Sequence, residues 1–377
     1  MKRLIVLLIV LAGGLAAAAF AVPSNAALVN GVSITQQQLN SDLTAIASSP
    51  DYRCFLNAEE AVGTGGQTAL PSVDGAGPIA GGGSHPTVTT GFAGYYLDTA
   101  IGHQLVFELA ATQHLRLTPQ VLATARTELN GQITAILSDV AQTKYACGSA
   151  TQALTAKEVL GTMPGSFVDT SVRFDATVSV LEEDAAGVGS SSAGFQRYFA
   201  AHAAEFDTAC FTVAEYSSET AAEAAVAEVA AGTPFSTVAA GTQGGGPQGC
   251  DILYGVAASL PSGTNLESLA ANAVSNPISE NGAYLLVQIT SRTPTSFAKA
   301  KTEVESAVQS AGASKAGKVI DAAEKAANIS VDARYGKWSA TDTHVFPPSV
   351  PATADVLNPS ANGTGTGPAT TSTGQSS

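Results

Sequence analysis

Apolar residues along this chain switch between two spacings, and the switches mark most of its elements. Near the start, Val29, Val32 and Ile34 flank an Asn30-Gly31 pair. That pair predicts a hairpin, because both turn positions favour positive φ. Thr35 reads as an N-cap, with Leu39, Leu43 and Ile46 at helical spacing behind it. Helical spacing returns over 97–114. It returns again behind Thr118 and Pro119, in a stripe of Leu122, Ala125, Leu129, Ile133 and Ile136. Residues 171–184 repeat it with Phe174, Val178 and Leu181. "GVGSSSAG" at 187–194 then breaks the pattern before a short helix, "FQRYFAAHAAEF". By contrast, residues 60–95 are rich in Gly, Pro and Thr and predict a long irregular loop.

The texture changes at about 208. "ACFTVAEYS" has strand character, and "ETAAEAAVAEVAAG" predicts a helix capped at Gly232. "PFSTVAAG" and residues 265–273 predict two short helices, and "GAYLLVQITSR" a strand. Between them lies "TQGGGPQGCDILYG", read as a glycine turn entering a strand. A helix over 297–326 leads to "NISVDARYGKW", and residues 351–377 have the composition of a disordered tail. The expected class is α+β: a mostly helical part and a small strand-helix-strand domain.

Composition narrows the function. Only 13% of the 377 residues are charged and the net charge is −14. A field of that sign repels nucleic acid and anionic lipid, so neither is an expected partner. Lys2 and Arg3 precede a long apolar run ending in "SNA", which predicts a signal peptide or membrane anchor over residues 1–26. Membrane contact is expected only through this segment, if it is not cleaved, and the rest of the chain outside the cytoplasm. Cys54, Cys147, Cys210 and Cys250 are even in number and contain no C-x-x-C pair, which suits structural disulfides. Of three pairings, Cys54–Cys147 with Cys210–Cys250 is favoured, since each closes a loop within one predicted domain.

Motifs for bond-making chemistry are missing. "GASKAGKV" at 312–319 imitates a phosphate loop but ends in Val319 and lies on a predicted helix. "GAGPIA" at 75–80 lacks a preceding strand. His85, His103, His114, His202 and His344 are scattered, so no metal and no cofactor is expected, and His103 and His202 read as partly buried structural residues. No strong base flanks Cys250 to activate a thiol.

The motifs, taken in order, resemble the extracytoplasmic foldases of the SurA/PrsA type. "VNGVSITQQQL" is similar to the opening of their chaperone domain and "ISVDARYGKW" to its closing segment. Over 208–293, "AGTPFSTVA", "GGPQGC", "VSNPI" and "NGAYLLVQI" resemble, in order, four motifs of a parvulin-type peptidyl-prolyl isomerase. The resemblance implies a helical chaperone domain over 27–207 and a parvulin-like domain over 208–295. Residues 296–350 would then return to the chaperone domain. It also implies a site, from which the family's histidine pair is missing. The first-strand position falls near Val213, and Tyr284 stands at the last-strand position. Phe235, Gln248 and Leu266 would complete a peptide-binding slot with Tyr284. Gln248 stands where that slot should be apolar.

Prolyl isomerisation needs polar groups around a twisted amide, whereas holding an extended peptide needs only a groove. The expected function is therefore a chaperone for unfolded or extended polypeptides with weak or no isomerase activity. Two alternatives remain open: an isomerase with a non-standard site, and an envelope scaffold with one specific partner.

Overall fold

In the computed structural model, Asn30 and Gly31 both take positive φ, 50° and 88°, and fold strand Asn25–Val29 back on Val32–Thr35. The structure describes residues 24–348 except 64–78, 81–86, 142–145, 150–151, 190, 243–244, 262–263, 281 and 347. The expected tail and most of the expected export segment lie outside these residues. Asn25 and Ala26, however, already belong to the first strand, and Ala26 is buried. Among the described residues, no helix is long and apolar enough to cross a membrane.

The fold is α+β, in two compact units. One combines Met1–Val178 with Lys318–Ser377, and the other is Ser179–Gly317. In the first, the Thr35 hydroxyl accepts from Gln38 N, and helix Gln36–Ser48 buries Leu39, Leu43 and Ile46. Helix Thr90–Thr112 starts inside the expected 60–95 loop, a correction. Thr89 caps it, and Phe92, Ala93 and Leu97 supply an apolar face that outweighs the local glycines. One of those glycines has a tertiary role: a Cβ at Gly94 would lie 3.2 Å from the Tyr335 carbonyl. Two further corrections fall in the same 60–95 stretch. Helix Pro50–Gly63 occupies its start, and Ile79–Ala80 pairs with Thr87–Val88. Helix Pro119–Asp139 begins at the expected Thr118 cap. Helix Gly165–Ala185 starts earlier than the pattern indicated and buries Phe167, Val168, Val172, Ala176 and Val180.

The chain's end closes this unit. Strand Ile329–Val331 pairs antiparallel with Asn25–Val29, with Ala27 opposite Val331. Asp332 Oδ2 accepts from Gln36 Nε2 at 2.9 Å, and the buried Tyr335 donates its hydroxyl to Asn40 at 3.3 Å. Such pairings cost loop-closure entropy, which the apolar core of 21 buried residues offsets. Cys54 and Cys147 are joined beside a smaller core of Phe55, Ala58, Ile133 and Val159.

Two titratable groups in this unit are displaced by burial in opposite senses. His103 stacks on Phe174 at 4.1 Å and is pushed down to about 4. Asp175 is pushed up to about 6, first by burial and then by Glu128. A raised carboxyl contributes stability below its unfolded pKa and loses it as pH climbs through 6. Asp175→Asn is therefore expected to stabilise the chain by roughly 1 kcal/mol at pH 7.5, after allowance for solvent screening. The gain should vanish by pH 4. Urea midpoints at the two pH values check this, and a pH-independent difference would contradict it.

The imitation phosphate loop is part of helix Lys301–Ala326. Its Gly312 packs against the backbone of Glu182, which leaves no room for a Cβ. Alanine is the better helix former by about 1 kcal/mol, yet Gly312→Ala should destabilise by about 1–2 kcal/mol through overpacking. A variant with a raised melting temperature would contradict that contact.

Candidate functional site

The second unit is organised by a four-stranded antiparallel sheet. Its order is Gly246–Ile252, Thr208–Tyr216, Ala283–Thr293 and Ile278–Glu280. Successive side chains along a strand point to opposite faces. On Ala283–Thr293, Leu286 faces helices Glu219–Ala230 and Phe235–Ala240, packing with Ala222, Ala225, Phe235 and Ala239. Small residues on the longer helix let it approach the sheet closely. Val287 and Ile289 face the other way, against Phe211, Leu253, Leu266 and Ile278, and Leu285 and Val213 pack on the same cluster.

This alternation distributes the four sequence-predicted slot residues. Phe235, the first residue of its helix, is buried against Leu286 of the sheet, and Tyr284 lies half-buried on that same face, opposite Tyr216. Leu266 is fully buried on the opposite face, with Val213. Gln248 is exposed on the edge strand, its amide donating to the Gly246 carbonyl at 3.4 Å. The four do not converge. Leu285 and Val287 share the face with Val213 and Leu266, and Val213 lies directly opposite Val287. That face is apolar, with Phe211 its aromatic member, and neither of its two long strands carries a histidine. His202 sits outside the sheet, hydrogen-bonded to Glu205 at 2.7 Å and stacked on Tyr198 at 4.3 Å.

What holds Leu266 in place is a residue the motifs did not single out. Arg292 pairs its Nε with Asp207 at 2.7 Å and donates Nη1 to the carbonyls of Glu267, at 2.8 Å, and Leu269, at 3.2 Å. Its Nη2 donates to the Ala204 carbonyl. The helix expected over 265–273 is consequently reduced to a 3-10 turn, Leu266–Ser268, a correction with a definite cause. Carbonyls that would serve an α-helix are taken by the guanidinium, and Asn272 N donates to Ile289 O. Buried Ser275 then behaves as a ladder residue: its N–H donates to Val287 O at 2.8 Å and its Oγ accepts from Val287 N at 3.0 Å.

"TQGGGPQGCDILYG" supplies the edge strand Gly246–Ile252 and the start of helix Leu253–Ala258. Gly246 and Gly249 take φ of 141° and 91°, which side-chain-bearing residues rarely adopt. Cys250 faces Cys210 across the ladder, and the two are bonded. Among the described residues, no three His, Cys, Asp or Glu side chains gather as metal ligands.

Residues 191–302, which span this sheet, match the family model of the PPIC-type PPIASE domain. No curated protein matches the chain. Among solved structures, the peptidylprolyl isomerase PrsA of Bacillus anthracis is 12% identical. The match covers 61% of this chain and 96% of that one, with a TM-score of 0.32. The foldase protein PrsA of Streptococcus pneumoniae is 14% identical, covering 78% and 90%, with a TM-score of 0.32. A SurA-like chaperone of Campylobacter jejuni is 14% identical, covering 82% and 99%, with a TM-score of 0.25. The family match makes residues 191–302 a PPIC-type, parvulin-type domain, and the motif order along the chain resembles that of the SurA/PrsA type.

Proposed function

We propose that this SurA/PrsA-like chain works outside the cytoplasm as a chaperone that holds unfolded or extended polypeptides, with little or no prolyl isomerase activity. One observation supports the reading: the sheet face shared by Val213, Leu285 and Leu266 is built of aliphatic side chains and Phe211, and neither long strand brings a histidine to it to stabilise a twisted amide. Tyr284, the residue nearest in sequence to a substitute, belongs to the opposite face with Tyr216. The extracytoplasmic address is supported by two disulfides and by the export-like residues 1–26.

Two assays test it. At equimolar amounts, the full chain should suppress aggregation of a reduced, unfolded client, and no suppression would overturn the chaperone reading. In a protease-coupled proline-peptide assay, the rate should stay at the uncatalysed value, with Tyr284→Phe indistinguishable from wild type. Acceleration abolished by Tyr284→Phe would establish the isomerase alternative instead.

A further inference from the structure

The helical unit encloses a cavity of about 290 Å³, reached by side chains of helices Gln36–Ser48, Pro50–Gly63, Thr90–Thr112, Pro119–Asp139 and Gly165–Ala185. Its walls are aromatic. Tyr52 meets Phe167 edge to face at 5.4 Å, Tyr96 stacks over Phe167 at 6.2 Å, and Phe174 also lines the space. Asp42, Glu59 and Asp175 line it too, whereas no lysine or arginine does. Arg173 lies over Phe107 at 4.3 Å, and Arg126 pairs with Asp169.

Some polar groups of this cavity have partners: Thr99, Thr170 and Ser171 donate to backbone carbonyls of their own helices. Asp42 accepts from Gln38 and from the Tyr96 hydroxyl. Glu59, Asp175 and the Tyr52 hydroxyl, by contrast, make no hydrogen bond or ion pair with the described residues. Burial holds Tyr52 far above the usual phenol range, so its hydroxyl stays a neutral hydrogen-bonding group. Aromatic faces with carboxylates beside them attract ammonium and guanidinium groups and repel anions. A purely apolar occupant would fill the space but leave the carboxylates unpaired. The volume accommodates one long side chain and excludes a folded partner.

The geometry points to a socket for the cationic head of one arginine or lysine side chain carried by an extended polypeptide. The socket rests on the client-binding reading and gives that reading a chemical preference. Calorimetric titration of the full chain with a short Ser/Ala peptide bearing one arginine tests it. The control is the same peptide with citrulline, the neutral isostere, which needs no protein variant. The arginine peptide should bind about tenfold tighter or more. That preference should disappear in a chain carrying both Asp42→Asn and Asp175→Asn, with its fold verified by circular dichroism.

Equal affinity for the two peptides overturns the socket, and so does a preference that survives the double substitution. Arginine amide competing as well as the peptide would overturn the polypeptide part of the assignment. If neither peptide binds while client aggregation is still suppressed, the socket fails and the chaperone reading stands. An arginine preference without suppression keeps the socket and removes the chaperone.

Discussion

Replacing Cys54 and Cys147 together by alanine is expected to cost about 4–5 kcal/mol of unfolding free energy. The bridge spans a sequence separation of 93, and on the chain-entropy model the stabilisation grows with the logarithm of the loop it closes. Cys147 is also buried beside Phe55, Ala58 and Val159, so its loss removes packing as well as the cross-link. The Cys210–Cys250 bridge, with a separation of 40, should contribute about 4 kcal/mol by the same model. Cys250 is exposed on an edge strand, so little packing is added there. The larger loss should therefore follow the Cys54–Cys147 pair. Urea denaturation of the full chain, followed by circular dichroism for each double variant, reads both. A loss below 1 kcal/mol at Cys54–Cys147, or the reverse order, would contradict this account.

Arg292→Met should cost about 3–5 kcal/mol. The substitution keeps much of the side-chain volume but strands a largely buried Asp207 carboxylate, and breaking such a pair on one side is expensive. Three carbonyls, those of Ala204, Glu267 and Leu269, lose their donor at the same time. Lysine preserves the charge but not the planar fork that reaches several acceptors, so Arg292→Lys should lose roughly half as much. The damage should be local before it is global. Amide hydrogen exchange over residues 264–276 should accelerate more than exchange in helix Glu219–Ala230, because only the former segment is tied down by the guanidinium. Equal acceleration in both, or an unfolding free energy within 1 kcal/mol of wild type, would sink the assignment of Arg292 as the positioning residue for Leu266.

Much of the fold was legible because its signals are local. The Asn30-Gly31 turn, the Thr35 and Thr118 caps and the glycine after Ala231 each act over a few residues, and each falls where its chemistry requires. The α+β class followed from the order of the periodic segments. The start of helix Thr90–Thr112 was hidden because glycines at 91 and 94 resemble loop punctuation. Only the approach of Tyr335, far along the chain, gives Gly94 a reason to be helical. The 3-10 turn at Leu266–Ser268 was hidden in the same way by Arg292.

The candidate site was less legible, and the reason is parity. Motif matching placed Tyr284 in the slot, but a shift of one residue along a strand moves a side chain to the other face. The alternation of Leu285, Val287 and Ile289 toward Leu266 was present in the sequence, yet which parity faced that way was not. By itself the sequence determined many of the local elements, the net negative charge and the order of the motifs. Only the tertiary structure decided the sheet register, the rivet at Arg292 and the aromatic, acidic cavity of the helical unit. Those depend on contacts between residues distant in the chain, where burial and unpaired polar groups, rather than local propensity, set the energy.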